Sequence, residues 1–263
     1  MYTFNLAHLA SRILTCYSLV KLGNLSTQQL FAAATNVSQG WLNDVDEDGI
    51  IGLGFKGANM ITPGPQNTFF DNLRPQLAQP IFNTAFRTKA PGCIDFGFID
   101  AKKVDGPITY VDVLHDDWYA WGYVGDGFGI GTNPNITSRK LNTHLDTATS
   151  LMFTQPDIVT DYWARVPGAH FNDDQQAYIY PCNAKTFPDI TFTVNGARQV
   201  VAGDALRSSP IDDDGKWCFG NLQNIGGGVD FGLFGIPFIK DKYIIHDMSK
   251  PNSRLGFAKL KKH

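Results

Sequence analysis

The chain has 263 residues, 43% hydrophobic and 18% charged, with a formal net charge of −3 and a pI near 6.0. That is enough sequence to bury a core as one large domain or two lobes, and a charge so near zero argues against nucleic acid or an acidic surface as partner. No apolar run approaches the roughly 20 residues of a membrane helix. The first 20 residues, interrupted by His8 and Arg12, show neither a basic leader region nor a small-residue cleavage pattern.

Nineteen Phe, nine Tyr, 26 Gly and 14 Pro point to β-structure rich in turns. Residues 1–22 have no period that places them. Residues 30–37 read as a strand, and 38–48 as a polar loop ending in Asp44, Asp46, Glu47 and Asp48. Two motifs overlap here, and both fail on their surroundings. Asp44-x-Asp46-x-Asp48-Gly49 starts like a calcium loop, but its twelfth position is Phe55 where a bidentate Glu is needed, and Gly40, Trp41, Pro63 and Pro65 break the flanks. Gly52-x-Gly54-x-x-Gly57 has the dinucleotide spacing without a helix after it to offer free N–H groups to a pyrophosphate. Residues 48–55 instead suggest a tight buried strand, with glycines where another backbone passes closely.

A short helix is expected over 67–73, ending before Pro75, followed by strands at 80–87, 94–99 and 108–113 and a hairpin of 118–124 with 128–131. The segment Leu145-Asp146-Thr147-Ala148-Thr149-Ser150-Leu151-Met152 places one carboxylate at the tip of a buried strand, held by Thr hydroxyls. A carboxylate so held suits general acid or base work, although Asp and Thr also favour plain surface turns. Residues 154–166 form the strongest helical pattern, with Thr154 as N-cap, Pro156 in the first turn and Pro167-Gly168 as the stop. Strands follow at 178–181, 189–194, 198–201, 216–220, 231–234, 242–247 and 254–259, so the chain is all-β. Ile50-Ile51-Gly52 is echoed by Leu233-Phe234-Gly235, which hints at two related lobes.

Four cysteines, Cys16, Cys93, Cys182 and Cys218, lack zinc spacing, so no metal or other cofactor is expected. Cys182 and Cys218 can close a loop across a hairpin in an oxidising compartment. The sequons Asn24-Leu25-Ser26, Asn36-Val37-Ser38 and Asn135-Ile136-Thr137 point the same way.

Taken together, these blocks resemble the pepsin-like aspartic proteases, and most of all the secreted fungal acid proteinases. The matching stretches are Asp48 to Phe55, Thr68-Phe69-Phe70-Asp71-Asn72, Ala90-Pro91-Gly92, Phe96 to Asp100, Asp146-Thr147 with Thr149, Tyr162-Trp163-Ala164, Pro181-Cys182, Cys218-Phe219-Gly220 and Arg254 to Ala258. They are collinear from about Leu22 to Ala258. The resemblance implies two β-lobes astride a cleft, each giving one Asp to a pair that shares a proton and activates water. No Ser or Cys nucleophile is then needed, and the chain shows neither a Gly-x-Ser-x-Gly elbow nor His-Glu-x-x-His.

On this resemblance Asp146 is the catalytic Asp of the second lobe and Thr147 grips the opposite lobe. Thr149 bonds the outer carboxylate oxygen, Ala148 and Ser150 face the substrate, and Leu233-Phe234-Gly235 passes beneath the loop. Cys182 and Cys218 match a second-lobe disulfide, with Cys16 and Cys93 left as buried thiols. The implied organisation is an unplaced segment 1–21, a remnant of the first lobe at 22–110 and a complete second lobe at 111–263. The implied protein is a secreted monomer acting on peptide or protein substrates, with no nucleic acid or membrane partner.

Three departures bear on activity. No Asp-Thr-Gly or Asp-Ser-Gly precedes Asp146, so the first-lobe Asp and its flap are missing and the first lobe is expected to be incomplete. Ala148 stands in place of Gly in the surviving triplet. Ile236 follows Gly235 where many relatives carry Asp. The expectation is an aspartic endopeptidase by descent, inactive as this single chain. A non-catalytic peptide-binding protein and an incomplete gene model of an active protease stay open. Apolar surface is expected around Ile50, Ile51 and Phe55, with poor solubility.

Overall fold

A computed structural model describes residues 10–39, 48–61, 64–226, 228–249 and 251–262. Most of the loop containing Gly40, Trp41, Asp44, Asp46 and Glu47 lies outside the described residues, as does Pro63. The chain divides into two compact units, one of residues 1–80 with 116–120, the other of 81–115 with 121–263.

The first unit is built on an antiparallel ribbon, β1 (Ala10–Leu22) and β2 (Leu25–Val37), in unbroken register from Leu22↔Leu25 to Ile13↔Ala34, with a shift at Arg12. Gly23, with φ of +61°, makes the turn with Asn24, a conformation that glycine reaches without Cβ strain. The described part of the segment that sequence left unplaced, residues 10–22, is therefore strand. Helix α1 (Phe69–Leu73) starts at Thr68 in a reciprocal capping box with Asp71 and lies against β2. There Asn72 Nδ2 donates to Gln29 Oε1 at 2.8 Å, and Gln29 Nε2 donates to the Asn67 carbonyl at 3.0 Å.

Residues 48–55 do not form the expected strand. Ile50 and Ile51 are 58% and 51% exposed, and a Cβ placed on Gly52 meets nothing within 4 Å. The exposure of Ile50 and Ile51 agrees with the apolar surface expected there. Tyr119 holds the end of the segment, its carbonyl accepting from Phe55 N–H at 3.3 Å.

The second unit carries three sheets. A five-stranded sheet runs β4-β3-β17-β18-β5 in space: β3 (Ile81–Arg87), β4 (Ala90–Phe96), β5 (Val104–Asp112), β17 (Lys242–Asp247) and β18 (Arg254–Leu260). Ile81, Ala85, Tyr243, Ile245, Ala258 and Leu260 form its apolar core. On the same sheet His246 is buried, stacked on Phe82 at 4.2 Å and edge-on to Trp121 at 4.8 Å.

Burial pushes the His246 imidazole down from 6.5 to about 3, so the folded protein keeps it neutral where an unfolded chain would protonate it. The unfolded state then binds the extra proton between those values. Stability is complete above about pH 6.5 and falls as pH drops towards 3, by up to about 1.4 kcal/mol per pH unit. Urea unfolding across that range should show a shallower pH slope in His246→Phe than in the parent; equal slopes would remove His246 as the cause.

The seven-stranded sheet has the order β12-β11-β6-β7-β16-β8-β15. Its members are β6 (Trp121–Ile130), β7 (Thr137–Leu145), β8 (Met152–Thr154), β11 (Ile190–Val194), β12 (Ala197–Val201), β15 (Leu222–Asn224) and β16 (Phe231–Phe234). The hairpin expected over 118–131 is instead one long strand, β6, with a register shift between Gly125 and Gly127. Its glycines provide close approach rather than a turn: a Cβ on Gly127 would lie 2.8 Å from the Thr137 carbonyl oxygen.

The third sheet joins β9 (His170–Asn172), β10 (Ala177–Pro181), β13 (Arg207–Pro210) and β14 (Trp217–Gly220). Cys182, next to the end of β10, is disulfide-bonded to Cys218 on β14. Cys16 is exposed and Cys93 half-buried, so neither is the buried thiol expected. Helix α2 (Pro156–Trp163) begins one residue later than its N-cap signal suggested. Thr154 belongs to β8, where its carbonyl accepts from Ile225 N–H, and Gln155 is the N-cap. The buried Trp163 indole donates to the Leu222 carbonyl at 2.7 Å, tying this helix to β15.

Candidate active site

Strands β7 and β8 are consecutive in the chain but do not pair. Strand β16 lies between them, parallel to β7 with Phe234 opposite Leu145 and antiparallel to β8 with Phe234 opposite Met152. Residues 146–151 must therefore loop over the end of β16, and the backbone pins them there. Asp146 N–H donates to the Phe234 carbonyl at 3.1 Å, and Gly235 N–H to the Leu151 carbonyl at 3.1 Å. Ile236 N–H donates to the Thr149 carbonyl at 2.8 Å.

Gly235 is required at this crossing for space. A Cβ built on it would lie 2.0 Å from the Thr149 carbonyl oxygen and 2.2 Å from that of Leu151. Helix α3 (Ile236–Ile239) begins directly after it, with Pro237 in its first turn.

The loop orients the Asp146 carboxylate through both oxygens. Oδ1 accepts from the Ala148 N–H at 2.9 Å, and Oδ2 accepts from the Thr149 hydroxyl at 2.5 Å. Thr149 is buried and Asp146 half-buried, whereas Thr147, Ala148 and Ser150 are exposed. Of the residues singled out from sequence, the structure thus brings together Asp146, Thr149 and the backbone of Ala148, over Phe234 and Gly235. One Thr hydroxyl holds the carboxylate, and a backbone amide does the rest. Thr149→Val keeps the shape and deletes the hydroxyl. The variant should lose about 1.5–3 kcal/mol at neutral pH in denaturant titration, the range for a hydrogen bond to a charged group.

Sequence reasoning missed the support behind the loop. Phe234 packs against Phe192 at 4.6 Å and Phe238 at 4.8 Å between ring centres. Lys242 is buried, its Nζ donating to the Phe238 and Val200 carbonyls at 2.8 Å each and lying 4.5 Å over the Phe238 ring. Burial lowers the Lys242 ammonium to about 7. Nothing in Ile239-Lys240-Asp241-Lys242 marks one lysine as buried and the other as exposed.

The family model for eukaryotic aspartyl proteases matches residues 13–260. The chain belongs to that family. It is 41% identical over 238 residues to the aspartic protease pepA of Leptosphaeria maculans, covering 90% of this chain and 57% of the relative. It is 36% identical over 241 residues to aspergillopepsin-1 of Aspergillus fumigatus, covering 91% of this chain and 59% of the relative. Penicillopepsin-1 of Penicillium rubens is 36% identical over 236 residues, with 90% and 58% covered. The chain thus spans less than two thirds of these relatives' length.

Proposed function

We propose that Asp146 is one carboxylate of a two-carboxylate aspartic endopeptidase centre acting on peptide or protein substrates. The observation that carries this is the double fixing of Asp146 across the Phe234–Gly235 crossing. Each carboxylate oxygen accepts one hydrogen bond from the loop, from Ala148 N–H or the Thr149 hydroxyl. Each keeps a further acceptor position. A carboxylate held this way can take a proton from water without first reorganising its own surroundings.

Peptide hydrolysis by this route needs a second carboxylate sharing a proton with the first. These 263 residues hold no Asp-Thr-Gly or Asp-Ser-Gly. The purified 263-residue chain should therefore leave an acid-denatured protein uncut at about pH 4, a pH at which such a pair shares one proton. Cleavage that disappears in Asp146→Asn would refute that expectation, and would mean that a partner carboxylate comes from within this chain or from a second copy.

Peptide binding without cleavage is a second reading, and Ala148 favours it. Its methyl group sits on the exposed part of the loop where the family resemblance calls for Gly. Retained peptide affinity in Asp146→Asn, with no product formed, is the result that reading expects. Secretion is part of the same proposal, supported by the Cys182–Cys218 disulfide, since such bonds persist in oxidising compartments.

A further inference from the structure

We propose that Asn24 and Asn135 are acceptors for N-linked oligosaccharide. The inference rests on the secreted location proposed above and on how the structure displays the two sequons. Asn24 lies at the tip of the β1–β2 ribbon, exposed, directly after Gly23, around which no atom lies within 4 Å of a Cβ position. Ser26, two residues on, is half-buried at the start of β2.

Asn135 lies in the exposed loop between β6 and β7. Around it the chain is anchored while the acceptor remains accessible. Arg198 Nη2 donates to the Pro134 carbonyl at 3.0 Å, and Ile136 is half-buried, its Cγ2 2.5 Å from the Cβ position of Gly127. Asn135 and Thr137 flank that apolar residue and are both exposed. A sequon belongs in a surface turn or loop, which is where Asn24 and Asn135 lie. Asn36 is exposed too but lies inside β2, opposite Arg12 in the ladder, and is left out for that reason.

The donor is a polyprenyl-pyrophosphate-linked oligosaccharide. The side-chain amide nitrogen forms a bond to C1 of the reducing-end sugar, and the C1–O bond to pyrophosphate breaks. Polyprenyl pyrophosphate leaves with the electron pair, one amide proton passes to base, and nothing is oxidised or reduced. At Asn24 the product also has a physical use. The ribbon exposes Leu19 and Leu22 at 50% and 41%, and a bulky polar glycan at its tip shields that apolar surface.

The test is translation of the full chain, fused behind a cleavable secretion leader, in the presence of microsomes, reading only the protease-protected product. Supplying the leader makes the result independent of where the protein naturally resides. Two endoglycosidase-sensitive mobility steps are expected, one lost in Asn24→Gln, one in Asn135→Gln and both in the double variant. Protected chain without any step, or steps that persist in the double variant, would overturn the proposal. The secretion reading is decided separately, by fractionating the source cells and asking whether the native chain is outside the cytosol.

Discussion

Gly235→Ala should cost this protein about 3 kcal/mol or more. The added methyl would fall 2.0 Å from the Thr149 carbonyl oxygen and 2.2 Å from the Leu151 carbonyl oxygen. Both obstacles are backbone, and both belong to the loop that holds Asp146, so no side-chain rotation relieves the clash. Overpacking of a core commonly costs 1–3 kcal/mol where side chains can shift, and immovable backbone puts this site at or above the top of that range. The hydrogen bonds from Gly235 N–H and Ile236 N–H to the same loop would be stretched as well. Gly52→Ala provides the matched control. It replaces the glycine of the similar Ile50-Ile51-Gly52 triplet, where a Cβ meets nothing within 4 Å, and should change stability by less than about 0.5 kcal/mol. Equilibrium urea unfolding of both variants checks the pair; equal effects would mean that the crossing at Gly235 is not the constraint described here.

Removing the Cys182–Cys218 disulfide should be the second large effect. The bond closes a loop of 36 residues, for which the chain-entropy relation gives about 3–4 kcal/mol. The two cysteines already lie on neighbouring, hydrogen-bonded segments: Tyr180 pairs with Cys218, and Cys182 N–H donates to the Lys216 carbonyl at 3.0 Å. The native geometry therefore persists without the bond, and the loss falls on the unfolded state, which regains the freedom of the opened loop. Cys182→Ala/Cys218→Ala should lower Tm in calorimetry by roughly 10 °C while the far-ultraviolet circular dichroism of the folded protein stays unchanged. A loss below about 1 kcal/mol would show that the unfolded chain keeps these segments together on its own.

The parts of this protein that could be read from sequence are those where chemistry and period agree locally. Strands β16 and β17 have the expected limits because Phe231-Gly232-Leu233-Phe234 and Lys242-Tyr243-Ile244-Ile245-His246-Asp247 are compact apolar runs between breakers. The Asp146 loop was visible because an acidic residue beside two threonines stands between apolar residues. Its construction was less so. That β16 slots between β7 and β8 depends on pairings 80 or more residues apart in the chain, and no local period encodes such a partner.

The two apolar-apolar-Gly triplets show the same limit from another side. Leu233-Phe234-Gly235 and Ile50-Ile51-Gly52 read alike, yet one is a paired strand ending at a crowded crossing and the other an exposed segment without a ladder. A glycine reports that close approach is permitted, and only the partner strand decides whether it is used. Strand β6 misled for a related reason. Gly125 and Gly127 resemble a turn, although they lie in one strand and make room for neighbouring backbone and side chains. Lys242 and His246 were invisible because no local period marks their burial: Lys242 is enclosed by the Phe238 and Val200 carbonyls, and His246 by Phe82 and Trp121.

Asp146 is proposed as a catalytic carboxylate whose partner comes from outside these 263 residues. This is tested most directly by a chimera in which the 238 matched residues of this chain replace their counterpart in the Leptosphaeria maculans relative, leaving the remainder of that protease in place. The folded chimera should cleave an acid-denatured protein at about pH 4, and Asp146→Asn in it should lose at least about 10²–10⁴-fold in rate, the contribution of a positioned acid or base. A folded chimera that cuts nothing, or one whose rate survives Asp146→Asn, would contradict the account.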